Sequence, residues 1–561
     1  MLQHGEGGLK GTEAAAAARD HTVCVDVTGL KPSRHYYYRF SSGKLASPVG
    51  RTKTTADGPL EEMLFALVSC SNWGWGYFHV YDLVSKVDNL DLVVHCGDYI
   101  YEYEKYNYPG RQFQARHGLR PKNQCHTLLD YRARYACYRT DPALQELHRR
   151  LPMVAIWDDH EVADEAYTKG ATETEESPQQ FSKRKLAGVQ AFLEWVPIRG
   201  MPPEEAGSPQ KAQRSFSFGD LATLMLVENR LSRRDHHINM PDTDFYKETA
   251  QKDVKKWDDE AIKRAKTKLL AEMKDPDREI IGQQQIDKVA AAVKDSVEGG
   301  QPWQILVSGT VMSQIMAPRL VETVALQPRY LRWVAGKALK KAMDPKVAGQ
   351  EAAELARMYV GMGKHAVQMN IDAWDGYQAE REKVYAALAV PGSNPVVLAG
   401  DSHNAWAHEL RNQKGQRVGV EFDGPAITSK GAWEDIYCRF QSKVGRLASL
   451  FPLYLFTPWI EDALEAANPD TLKYCNVRER GFVLCHLTHT KFHAEFHYVT
   501  DVWKKEYKHR CQAAFTVEAG VRGVMQRVPR YLSINGEIPR LHEHGRRRGL
   551  VKGTHRIYQH T

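Results

Sequence analysis

Five short apolar runs, each halted by a cluster of small and polar residues, constrain this 561-residue chain more than any other feature. Leu64 to Val68 runs into Ser69-Cys70-Ser71-Asn72, and Leu90 to His95 runs into Cys96-Gly97-Asp98. Met153 to Trp157 is followed by Asp158-Asp159-His160-Glu161, and Ile305 to Val307 by Ser308-Gly309-Thr310. Val396 to Ala399 is followed by Gly400-Asp401-Ser402-His403. Near-continuous apolar strands are what a sheet covered on both faces requires. Helical spacing between the runs, as in Tyr77 to Val87 and Asp141 to Arg150, makes the predicted class α/β. Polar residues then gather beyond the C-terminal ends of strands, where open α/β sheets bind ligands.

A chain of this length exceeds one ordinary core, so two domains or one large decorated domain are expected. Near the N-terminus, Val23, Val25 and Val27, a turn at Gly29 to Pro32, and Tyr36, Tyr38 and Phe40 alternate as strands do. They read as the last strands of a small β-sandwich, with Thr54 to Pro59 as linker. Segments 250–298 and 333–362 have helical spacing with charged, solvated faces, and 414–500 returns to strand-like alternation. The expected organisation is a disordered stretch over 1–20, a partial β-sandwich and linker over 21–58, a main domain over 59–510, and a basic, disordered tail over 511–561.

Composition removes several function classes. Basic residues number 76 against 69 acidic ones, and part of the +7 excess sits at Arg546-Arg547-Arg548, so no nucleic-acid recognition is expected. Nine cysteines lack CxxC spacing, against a zinc ribbon or a dense disulfide framework. No run of about 18 apolar residues exists, so no transmembrane segment is expected. Met1 to Arg19 is Gly- and Ala-rich and does not read as a secretory signal.

Asp98, Asp159, Asp401 and His403, all beyond apolar runs, form the kind of ligand collection that a dimetal phosphoesterase needs. Such an enzyme uses metal ions about 3.5–4 Å apart to bind phosphate oxygens and to activate water. Carboxylates with His suit hard or intermediate cations, and added Cys and Tyr tilt one position toward iron(III). Each residue alone has an ordinary reading: an Asp after a strand is often a helix N-cap, and Cys70 would be a small buried hydrophobe. Trp73, Trp75 and Trp157 read as core. The joint occurrence at four strand ends outweighs the separate readings.

These residues carry a resemblance to the PhoD-like alkaline phosphatase/phosphodiesterase family, within the calcineurin-like metallophosphoesterase superfamily. The superfamily pattern is Asp-x-His, Gly-Asp-x-x-Asp, Gly-Asn-His-Glu and Gly-His-x-His. Here stand Cys70-Ser71-Asn72, Gly97-Asp98-Tyr99-Ile100-Tyr101, Asp158-Asp159-His160-Glu161 and Gly400-Asp401-Ser402-His403. Tyr131 to Tyr135, Asp372 to Tyr377, Gly419 to Phe422 and Thr428-Ser429 support the same resemblance, which spans about residues 21 to 500. It implies a metallophosphoesterase-type sheet sandwich with flanking helices, preceded by a partial N-terminal β-sandwich.

The resemblance further implies Fe(3+) held by Cys70, Asp98, Tyr101 and His403 with Asp401 nearby, and Ca(2+) reached by Asp98 and Asp159. Asp158 is then a further ligand or an orienter, His160 the general acid or electrostatic stabiliser, and Glu161 its orienting partner. Arg134 and Arg199 are candidate phosphate contacts, beside the commoner reading of an arginine as plain surface, while Glu228-Asn229-Arg230 stands where an Asp-x-Arg is expected. The expected reaction is hydrolysis of a small-molecule or lipid phosphate ester by a metal-activated hydroxide, carried out by a monomer. The alternatives are a related enzyme with Mn, Zn or Fe pairs acting on nucleotides, and a non-catalytic phosphate- or phospholipid-binding module. The resemblance points to a secreted or endomembrane protein.

Overall fold

The computed structural model describes residues 11–172, 175–431, 434 and 457–528. Four short strands come first: β1 (His35–Tyr38), β2 (Ser41–Ser42), β3 (Leu45–Ala46) and β4 (Gly50–Lys53). β1 pairs with β4 and β2 with β3, both antiparallel. The main body continues with β5 (Glu62–Val68), β6 (Leu92–His95), β7 (Met153–Ala155), β8 (Arg214–Phe218), β9 (Ala222–Leu226) and β10 (Trp303–Val307). It ends with β11 (Pro395–Ala399), β12 (Ala405–Arg411), β13 (Arg417–Asp423), β14 (Leu472–Asn476), β15 (Arg480–Thr488), β16 (Lys491–Val499), β17 (His509–Glu518) and β18 (Met525–Arg527).

These strands make two seven-stranded mixed sheets, ordered β14-β12-β13-β11-β10-β9-β8 and β18-β17-β16-β15-β5-β6-β7. β9, β10, β11 and β13 run parallel in one sheet, and β5, β6 and β7 run parallel in the other. All five apolar runs are therefore parallel strands; β6, β10 and β11 are fully buried, while Leu64 of β5 and Met153 and Val154 of β7 are half-buried. The sheets meet through aromatic rings: Phe492 of one lies 5.8 Å from Phe422 and 5.7 Å from Trp303 of the other, centroid to centroid. Burying such rings is the largest apolar contribution a single side chain makes.

The expected helices form at His79–Ser85 and Pro142–Arg150, the second started by Asp141, whose carboxylate accepts from the Leu144 N–H at 3.0 Å. Helices also cover Asp259–Met273, Gln283–Glu298, Arg329–Ala342 and Gln350–His365, within or overlapping the two charged segments. Among the described residues no helix is long and apolar enough to cross a membrane.

Three expectations are corrected. Val23 to Val27 is not a strand, because no neighbouring strand is placed to satisfy its backbone. Segment 414–500 includes a helix, Thr457–Ala467, whose Leu464 packs against Trp406 and Leu472. The tail does not begin at 511: β17 runs to Glu518, pairing Phe515 with Ala494 and Val517 with Phe492, and β18 pairs onto it. Its alternating apolar residues, Ala513, Phe515 and Val517, are buried, and that burial holds the strand in the sheet. The disorder expected for residues 1–10 and 529–561 lies outside the described residues. Within 11–20 the chain makes a 3-10 turn at Ala17–Arg19.

Candidate active site

The polar clusters that end β5, β6, β7, β10 and β11 converge, because parallel strands present all their C-terminal ends at one edge. The backbone there is strained. Cys70, Asp98, Asp401 and His403 have φ of 63°, 55°, 61° and 59°, in the left-handed region that non-glycine residues seldom occupy. Gly97, at φ 105°, lies so close to Asp158 that a Cβ would collide with it, so glycine is required for the strand ends to meet.

One lobe brings together a thiol, a carboxylate, a phenol and an imidazole. Ligand atoms of Cys70, Asp98 and His403 lie within 4.8 Å of one another. Tyr101 donates its hydroxyl to Asp98 Oδ2 at 2.9 Å and lies 2.9 Å from His403 Nε2. His403 Nδ1 is 2.7 Å from the Lys430 carbonyl, which fixes the ring and leaves Nε2 as the lone-pair nitrogen facing the cluster. Burial, then the Asp98 charge, pushes the Cys70 thiol well above its ordinary pKa. Burial likewise raises Asp98 and Tyr101.

The other lobe is carboxylate-rich and carries its own cation. Arg230, fully buried, donates from Nε to Asp158 Oδ1 at 2.6 Å and from Nη2 to Asp158 Oδ2 at 2.9 Å. The same guanidinium reaches Asp401 Oδ1 at 2.7 Å and Asp372 Oδ2 at 3.1 Å, and lies 3.8 Å from Asp159 Oδ1. Burial pushes Asp159 up, but Arg230 and His160 outweigh it and hold the carboxyl below its ordinary value. Asp98, Asp159 and His160 form a second group of close ligand atoms, and Asp158, Asp159 and Asp401 a third. Asp98 therefore belongs to both lobes.

Two oxygens test whether the set fits metal ions. Asp98 Oδ1 and Asp159 Oδ1 are buried with no hydrogen-bond partner among the described residues. An orphaned buried carboxylate oxygen is costly, and a cation between the lobes would satisfy both. The donor set fits.

The structure gives Glu161 and His160 other partners than expected. Glu161, expected to orient His160, instead accepts the N–H groups of Asp98 at 3.1 Å, Tyr99 at 2.6 Å and Asp158 at 2.8 Å. It clamps two strand ends together, and burial raises its pKa to about 7. The partner of His160 is Glu102, whose Oε2 lies 2.8 Å from Nδ1. Burial would depress His160, but Asp159, Asp98 and Glu102 outweigh it and hold the imidazole well above its ordinary pKa. The Tyr101 ring lies 4.2 Å from His160, centroid to centroid, so this imidazole adjoins the Cys70 lobe.

Arg134 is corrected as a phosphate contact. Its guanidinium is fully buried and donates to the carbonyls of Tyr101, Tyr103, Arg120, Pro121 and Asn123, which shapes the 101–123 loop. Arg199 is exposed and pairs with Asp26 at 3.1 Å, away from the cluster. Glu228 accepts from Trp157 Nε1 and from the N–H groups of Arg230, Leu231 and Ser232, so it positions the Arg230 turn. Trp73, Trp75 and Trp157 are buried in the core as expected. Sequence reasoning assigned no role to Arg230, Glu102 or Asp372. The one available signal was position: Glu102 directly follows Tyr101, and Asp372 opens the Asp-Ala-Trp-Asp-Gly-Tyr segment.

Residues 65–496 match the family model described as PhoD-like phosphatase, and residues 7–56 match the one described as PhoD-like phosphatase, N-terminal domain. This chain belongs to the PhoD-like phosphatase family. It is 31% identical over 435 residues to alkaline phosphatase D of Bacillus subtilis, covering 76% of this chain and 61% of that protein. A solved structure titled "Structure of PhoD" superposes with a TM-score of 0.70 at 26% identity, covering 94% of this chain and 83% of that one. The α/β sheet sandwich with flanking helices and preceding antiparallel strands is thus a PhoD-type fold.

Proposed function

We propose that this chain is a metal-dependent hydrolase of phosphate esters. The observation that carries this reading is the double membership of Asp98, shared between a Cys70/Tyr101/His403 lobe and an Asp159 lobe, with an orphaned oxygen on each aspartate. In this reading Cys70, Asp98, Tyr101 and His403 hold iron(III), for which thiolate and tyrosinate are strongly donating ligands. Asp98 and Asp159 hold calcium, which takes further oxygens from water, backbone and substrate. Bound there, the cations supply neutralisation of phosphoryl oxygens and a lowered pKa for water.

The chain's own groups divide the remaining work. Asp158 and Asp401 are held by Arg230, which supports reading them as positioning residues for the cations. His160, kept protonated by its carboxylate neighbours and oriented by Glu102, donates a proton to the leaving oxygen. Glu161 keeps the β6 and β7 ends in register for that transfer. The substrate is a small-molecule or lipid phosphate ester, and the enzyme acts as a monomer.

Elemental analysis of the purified protein, paired with chromogenic monoester and diester assays, tests the reading. Iron with calcium, colour from thiolate- or tyrosinate-bound iron(III), and hydrolysis of either ester support it. Bound zinc or manganese without calcium rejects the iron–calcium assignment. Iron and calcium without hydrolysis of either ester would show a phosphate-binding module instead.

A further inference from the structure

A second cluster of metal-type donors lies on β16 and β17, in the sheet that also contains β5 but on strands that carry none of the candidate-site residues. In the sequence His493-Ala494-Glu495-Phe496-His497 the first, third and fifth residues share one face of β16. Glu495 bridges the two imidazoles: its Oε1 lies 3.1 Å from His493 Nε2 and its Oε2 lies 2.9 Å from His497 Nε2. His497 is fully buried, and its Nδ1 has no hydrogen-bond partner among the described residues. His493 Nδ1, by contrast, is engaged by Thr516 Oγ1 at 2.9 Å.

A β-bulge adds the sulfur. The β16–β17 register pairs Phe496 with Ala513 and then His497 with Cys511, so Gln512 is the extra residue. Without the bulge His497 would oppose Gln512, and Cys511 would face the other side of the sheet. With it, Cys511 shares the face of Glu495 and His497, which is the way bulges re-aim a side chain at sites. One ligand atom from each of Glu495, His497 and Cys511 lies within 4.8 Å of the others. His509, one alternation further along β17, stacks against His497 with ring centroids 6.2 Å apart.

We propose that Glu495, His497 and Cys511 form a separate site for a zinc-class divalent cation. A thiolate, an imidazole and a carboxylate are the donor set zinc takes, with a fourth position for water or a neighbouring imidazole. The cation would stabilise the β16–β17 edge rather than take part in hydrolysis. His497 Nδ1, without a hydrogen-bond partner among the described residues, is the nitrogen free to take it.

The test uses the full chain, stripped of metal and titrated with Zn²⁺. The wild type should bind one more equivalent than a Cys511→Ser/His497→Gln variant. Cys511→Ser alone should keep wild-type turnover of a chromogenic monoester after iron and calcium are restored. In a Cys70→Ser background, Co²⁺ should give a sulfur-to-cobalt charge-transfer band that Cys511→Ser abolishes. If the double variant fails to fold, alkylation of wild-type Cys511 decides, since Zn²⁺ should slow it roughly tenfold or more by occupying the thiolate. Equal zinc stoichiometry in wild type and folded variant, or alkylation of Cys511 indifferent to Zn²⁺, overturns the proposal.

Discussion

The two lobes of the candidate site share one aspartate and one strand edge, yet they manage charge in opposite ways. On the Cys70 side, thiol, phenol and carboxylate crowd together with no guanidinium hydrogen-bonded to them among the described residues, and burial disfavours the ionised form of each. On the Asp159 side, Arg230 sits among four carboxylates and keeps Asp159 ionised. A buried guanidinium compensates carboxylates permanently, and the Cys70 thiol and Tyr101 phenol have no such partner among the described residues. The difference teaches where the fold supplies its own counter-charge: removal of metal should disturb the Cys70 lobe more than the Asp159 lobe, which keeps Arg230.

Breaking the shared residue should have the largest effect. Asp98→Asn removes the common ligand and should lower turnover of a chromogenic monoester by roughly 10³-fold or more while circular dichroism stays native, the scale of losing one stabiliser at the reacting group. Retained turnover in that protein would detach Asp98 from the chemistry. Next, Arg230→Met leaves buried carboxylates unpaired and should cost about 3–5 kcal/mol of stability, read from denaturant unfolding. If Arg230→Met is tolerated without that loss, the second lobe is not held by its own cation.

Arg134→Met tests a residue whose donors all go to backbone. It should lose roughly 2–4 kcal/mol of stability, while the folded protein keeps a near-normal KM for the monoester. A large rise in KM with unchanged stability would restore the phosphate-contact reading. The smallest effect is expected from Glu102→Gln. That change keeps a hydrogen bond to His160 but removes a charge, and should lower kcat roughly 10- to 100-fold with KM little changed. Glu161→Gln measured beside it should act mainly on stability, since Glu161 holds three backbone N–H groups rather than the imidazole.

What could be read without coordinates was local. The segment Gly97 to Tyr101 announces itself because an apolar run, a glycine and an aspartate follow one another directly, and the same holds at Asp401 to His403. Arg230 was visible only as the end of Glu228-Asn229-Arg230, without its partners: Asp158, Asp372 and Asp401 lie 72, 142 and 171 residues away in the chain. The exchange of roles between Glu161 and Glu102 was equally illegible. A carboxylate adjacent to a histidine in sequence points elsewhere when the turn that holds them puts its oxygens on the backbone. Cys511 was read as tail for a related reason, since its place in the sheet depends on partners in β16 and β18.

Composition and periodicity thus determined the α/β class, the parallel apolar strands and the catalogue of ligand-type side chains at their ends, because burial and strand alternation act between neighbours in the chain. Tertiary structure alone decided which carboxylates meet Arg230, that Glu102 rather than Glu161 faces His160, that Arg134 serves the loop, and that a bulge turns Cys511 toward His497. Those are contacts between distant segments, and their energies come from desolvation and electrostatics within a few ångströms, which chain order does not encode.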